Sequence, residues 1–174
     1  SSDYSAQLAA HIGLPYVFAN HFSGEGLERA LEIYRKGFQP SEWLAEPATF
    51  LTINAVAAPT TEEALARALP QLRAMARLRS NKPMMALETI EQAQAAQAAE
   101  PDAATEELID PMRSRWLVGD AATVAAELRA FAARFGVSEV MVSPVSGSYA
   151  EEPLDAAPGR TQTLELLAAE MLTH

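Results

Sequence analysis

The 174-residue sequence contains no cysteine. That excludes a disulfide framework, a thiolate metal site and a cysteine nucleophile, and it leaves the redox compartment unread. Basic residues are scarce as well: 13 Lys and Arg stand against 23 Asp and Glu, a net charge of −10. With no cationic excess to neutralise phosphates or anionic lipid, nucleic acid and membrane are poor partners. No apolar run nears the ~20 residues of a membrane span, and positions 1–13 lack the charged-then-apolar order of a signal peptide, so a cytoplasmic location is the expectation. The sequence opens on Ser1 rather than Met, from which we expect that it begins inside a longer gene product. What it has in quantity is hydrophobic side chain, 49% of residues, enough to bury a core in a chain whose length suits one domain.

Periodicity and caps predict the elements. Ser2 or Asp3 caps a helix that stops at Gly13, where a left-handed residue costs little. The run Leu14-Pro15-Tyr16-Val17-Phe18-Ala19 reads as a buried strand. A second helix opens at positions 23–26, turns Leu27, Ala30, Leu31 and Tyr34 to one face and ends at Gly37. Positions 49–56 read as a second strand, and Pro59-Thr60-Thr61-Glu62-Glu63 caps a third helix in which Pro70 should introduce a kink. From Ser80 to Pro111 the composition shifts to Ala, Gln and Glu broken by prolines, which predicts a mobile excursion with one or two short helices. Gly119-Asp120 introduces an amphipathic helix with Val124, Leu128, Phe131, Ala132 and Phe135 inward, closed by Gly136. Positions 137–142 read as a third strand and 161–172 as a last helix. Such alternation makes a parallel α/β sheet with crossover helices, and three strands with two open edges fit an incomplete α/β barrel better than a complete small sandwich.

Few residues carry chemistry by pattern. The serines at the start of the first helix, with free backbone N–H groups, either bind a phosphate or simply cap the helix. His21 follows the first predicted strand, where ligands collect in parallel α/β folds, and either contacts a ligand or is a loop residue satisfied by backbone. Asn54, Ser143 and Ser146 face the same expected side and either contact a ligand or are structural. Met84 and Met85 line a pocket under a lid or pack the excursion onto the sheet. Glu62, Glu63, Glu106 and Glu107 sit in helix first turns and read as dipole partners and solvated charge. His11 and His174 are dispersed and no HExxH-like spacing occurs, so no metal site is expected. GxSxG, P-loop and GxGxxG motifs are absent.

The ordered succession of Ser1-Ser2-x-x-Ser5-Ala6-x-x-Ala9-Ala10-x-x-Gly13-Leu14-Pro15-Tyr16, Phe18-Ala19-x-His21-Phe22, Tyr34-Arg35-x-x-Phe38-x-Pro40-Ser41, Ala57-x-x-Thr60-x-Glu62-Glu63-Ala64 and Val118-Gly119-Asp120 resembles the luciferase-like flavin-dependent monooxygenases. The resemblance runs across nearly the whole chain and implies a (β/α)8 TIM barrel, of which residues 1–174 are the C-terminal half, with a helical excursion at about 80–115. It implies that Ser1, Ser2 and Ser5 hold the phosphate of reduced FMN, that His21 lies at the barrel mouth near the flavin ring, and that Arg160 matches a basic residue opening the last helix. The deazaflavin F420 is the alternative cofactor. The region 146–159 is longer than the pattern, which places the substrate side there in question. The partners so implied are the flavin, a small-molecule substrate, and the missing N-terminal half or a second copy. A module that binds flavin or serves assembly without catalysis is the competing expectation.

Overall fold

The computed structural model describes residues 2–22, 25–99, 103–153 and 155–172, with the side chains at 104–106 outside the description. Seven helices and three strands are described: α1 (Asp3–His11), α2 (Leu27–Gly37), β1 (Leu51–Ala58), α3 (Thr61–Arg79), α4 (Ile90–Ala99), α5 (Ala103–Arg113), β2 (Leu117–Asp120), α6 (Ala121–Phe135), β3 (Val140–Pro144) and α7 (Pro158–Leu172). The sheet order is β2-β1-β3, and β1 pairs with β2 in parallel from Ala55–Leu117 to Ala58–Asp120. The α/β class expected from the alternation is therefore correct.

The strands differ from their predicted positions. Residues 14–19 form no strand. Pro15 has no N–H to give, and the segment is held beside β1 mostly by side chains: Tyr16 N–H donates to Ala48 O (3.1 Å), Thr52 Oγ1 to Phe18 O (3.1 Å) and Asn20 Nδ2 to Thr52 O (2.9 Å). The third strand begins at Val140 rather than 137, because Val137 N–H turns back to Ala132 O at the end of α6. The four-residue β2 occupies a stretch read as a helix entry. Only β1 is buried throughout; β2 and β3 are largely half-buried, as edge strands are.

The chain divides into two compact units, 1–53 with 128–143 and 54–127 with 144–174. In the first, α1 and α2 pack through Ala6, Ala10, Ala30, Leu31 and Tyr34 onto Leu51 and Phe135. The buried face of α2 is the predicted one, Leu27, Ala30, Leu31 and Tyr34. Tyr34 is fully buried and ties the connectors to the helix: its hydroxyl lies 2.9 Å from Leu14 O and 3.1 Å from Ala48 O, donates its one proton between them and accepts from Ala48 N–H, while burial pushes the phenol pKa up. Arg35 donates to Phe135 O (2.6 Å), satisfying a terminal carbonyl of α6.

In the second unit, Ala64, Ala68, Leu72 and Ala76 of α3 pack on Val56, Ala58 and Val145, with Ile109 and Met112 of α5 on the same core. Pro70 lies inside α3, which runs as one helix from 61 to 79. The stretch expected to be a mobile excursion carries α4 and α5, and α4 is docked: Ile90 and Ala93 are fully buried, Ile90 N–H donates to Ser148 O (3.0 Å) and Ala150 N–H to Glu91 (3.0 Å). Residues 83–87 are exposed throughout, with Met84 and Met85 at 62% and 70%.

Candidate active site

Ser2 is the N-cap of α1, in a reciprocal arrangement with Ser5. Ser5 N–H donates to Ser2 Oγ (3.2 Å), Ser2 N–H donates to Ser5 Oγ (3.1 Å), and Ser5 Oγ donates to Ser2 O (2.9 Å). Tyr16 Oη also donates to Ser2 O, at 3.4 Å. The N–H groups of Asp3 and Tyr4 remain without an intrahelical acceptor, as first-turn donors must. The Asp3 carboxylate, which would repel an anion here, is engaged by Arg29 at 2.8 Å. Ser1 lies outside the described residues.

His21 is brought to β1, not to the serine cap in any described hydrogen bond. Its Nδ1 lies 3.0 Å from Thr52 Oγ1, and its N–H donates to the same oxygen at 3.3 Å. Thr52 Oγ1 also reaches Phe18 O at 3.1 Å, so one hydroxyl ties the imidazole and the connector before it to β1. Thr52, at 2% exposure, is the residue that orients His21, and the pattern of β-branched residues in a strand gave no reason to single it out.

Several other candidates are structural. Asn54 is buried in the middle of β1 rather than near its end. Ser146 is buried and shares a 2.8 Å hydrogen bond with Thr163, whose Oγ1 also accepts from Ala57 N–H (3.2 Å). His11 is exposed in the last turn of α1 and Arg160 is exposed in the first turn of α7; His174 and the Glu106 side chain lie outside the description.

The strongest electrostatic feature was missed. Arg67, 5% exposed on α3, donates to Glu63 (2.8 Å), to both oxygens of Glu152 (2.8 and 3.2 Å) and to Gly147 O (3.2 Å), with Tyr149 stacked 4.8 Å from the guanidinium. Glu63 is thus a half-buried ion-pair partner and not solvated charge. The signal was available: Arg67 falls between Ala64 and Ala68 on the apolar face of the helix, one turn after Glu63. Burial works to lower the Arg67 pKa, but the hydrogen bonds and charges of Glu152 and Glu63 outweigh it and the net shift is upward. The Arg67 hydrogen bond draws the Glu152 carboxyl down, against opposing burial and with help from Tyr149 N–H.

A folded-state carboxyl below its unfolded value contributes stability that is complete above the ordinary glutamate range, about 4.3, and is lost as the pH falls through the depressed value. The urea midpoint should therefore be flat above about pH 5 and fall below about pH 4. Glu152→Gln should lower the plateau and flatten this fall; an identical pH dependence in the variant would show that the pair contributes nothing.

Beside this cluster is a cleft of about 920 Å³ whose lining includes Leu65, Leu69, Ile109, Gln94, Gln97 and Tyr149. Thr60, just past β1, and Tyr149, on the loop after β3, place it beside the carboxyl ends of two strands, the position where open parallel sheets bind ligands.

Residues 1–139 match the luciferase-like monooxygenase family, and the chain belongs to that family. Among relatives, it is 35% identical over 142 residues to the uncharacterized protein YceB of Bacillus subtilis, an alignment covering 79% of this chain and 40% of YceB. Among solved structures it superposes on apo-MsnO8 with a TM-score of 0.81 at 22% identity, over 100% of this chain and 50% of that one. It also superposes on the oxygenating constituent of 3,6-diketocamphane monooxygenase from the CAM plasmid of Pseudomonas putida, a Type II Baeyer-Villiger monooxygenase in complex with FMN, with a TM-score of 0.52 at 18% identity, over 95% and 44%. The chain spans half or less of the length of these proteins.

Proposed function

We propose that the chain is the C-terminal half of a (β/α)8 luciferase-like barrel whose intact form is a flavin-dependent monooxygenase. The cap of α1 carries the reading: in a member of this family, a helix start with two reciprocally fixed serines, two first-turn N–H donors and an arginine on the adjacent carboxylate has the chemistry of a phosphate site. Ser1, Ser2 and Ser5 would hold the phosphate of FMN, and reduced flavin would supply the electrons with which dioxygen is activated for insertion into an organic substrate. His21, oriented by Thr52, would lie near the flavin ring. The cleft beside Tyr149 would take the substrate. The half-exposed edge strands, with Met141 of β3 at 47% exposure, support pairing with the N-terminal half.

In the intact protein, Ser2→Ala with Ser5→Ala should weaken FMN about 10-fold, ~1.4 kcal/mol, and riboflavin less than about 2-fold. Flavin fluorescence titration measures both. Equal weakening of the two ligands would remove the phosphate assignment.

A further inference from the structure

Arg67 grips the loop after β3 from both sides. Its guanidinium holds the Gly147 carbonyl, the Glu152 carboxylate and the Tyr149 ring, while its own carbonyl accepts from Gly147 N–H. Glu152 closes the circuit by accepting from Tyr149 N–H at 3.0 Å. The approach is close enough that a Cβ on Gly147 would lie 2.7 Å from Pro70 Cγ and 3.2 Å from Arg67 O, so the loop seats directly on α3. Five residues beyond β3, Tyr149 then forms a wall of the cleft.

We infer that Arg67 is a positioning residue for ligand selection: by fixing the loop at 145–152 it sets the Tyr149 ring as one wall of the cleft and so determines which organic molecule, with both apolar and hydrogen-bonding groups, is admitted. The ligand class follows from the lining. Leu65, Leu69 and Ile109 offer apolar surface, Thr60, Glu62 and Gln94 offer hydrogen-bonding groups, Glu63 is held by Arg67 at 2.8 Å, and Asp110 and Arg113 pair at 2.8 Å. This rests on the placement of the substrate in that cleft.

The test measures amide hydrogen exchange and Nile red binding on the 174-residue chain. Arg67→Lys keeps the charge and the reach to Glu63 but cannot bridge both oxygens of Glu152; Glu152→Gln keeps the shape and removes the charge. Both should speed exchange at Gly147, Tyr149 and Ala150 at least about 10-fold and weaken Nile red about 3-fold or more, with α1 and α2 changed less than about 2-fold. Leu69→Gln should weaken the dye without loosening the loop. Unchanged exchange at 147–150 in both variants, or acceleration spread evenly over α3 and α7, overturns the positioning role. Dye binding insensitive to Leu69→Gln, with the loop loosened as expected, overturns the placement in the cleft and with it the control of selection.

Discussion

Gly13→Ala should destabilise the chain by about 3 kcal/mol, because two costs fall on one atom. Gly13 has φ +67°, the left-handed region, where a Cβ alone costs about 1–2 kcal/mol. That Cβ would also stand 2.5 Å from Ser41 Cβ and 2.7 Å from Gln39 O, and neither can swing away. Ser41 is fixed by its own bonds, donating to Gly13 O (2.8 Å) and accepting from Trp43 N–H (3.1 Å). Gln39 is held by its N–H to Ala10 O (2.9 Å). The urea midpoint, with the slope unchanged, measures the loss. A shift corresponding to less than about 1 kcal/mol would mean that the turn after α1 opens without cost to the rest.

Thr163→Val should cost about 2–3 kcal/mol although it preserves shape, because it leaves two buried groups without partners. Thr163 is fully buried; its hydroxyl lies 2.8 Å from Ser146 Oγ and accepts from Ala57 N–H in the carboxyl-terminal half of β1. Thr163→Ser retains the hydroxyl and should recover most of the stability, losing only the methyl. Thermal unfolding of the two variants separates the polar from the packing contribution. Little or no loss in Thr163→Val, with the loss confined to Thr163→Ser, would assign the effect to the methyl.

These two sites illustrate different degrees of visibility in the sequence. The turn at Gly13 is local: a capped amphipathic helix followed by Gly announces itself within a few residues. The same holds for Thr60 and α3, for the buried face of α2 and for the inward stripe of α6. Thr163 has no such signature, since its partners lie at Ala57 and Ser146, far along the chain. The strand at 14–19 was misplaced for a related reason. Its composition suits a strand, but whether a segment joins a ladder depends on where its N–H and C=O groups go, and here Thr52 and Asn20 side chains stand in for the backbone. β2 was passed over because four residues including Gly119 and Asp120 carry too little pattern; they become a strand only because β1 offers them a parallel edge.

The site shows the same division. The serine cap is a contact between positions 2 and 5, and both the family succession and the helix start could be read from adjacent residues. The orientation of the His21 ring depends on Thr52, 31 residues later, and the Arg67 cluster depends on Glu152, 85 residues later. Helix periodicity, capping and α/β class follow from interactions within one or two turns, which any order of reading recovers. Strand pairing, the orientation of the imidazole and the burial of a guanidinium between two carboxylates depend on which distant groups arrive, and loop closure through the folded chain, not local propensity, decided them.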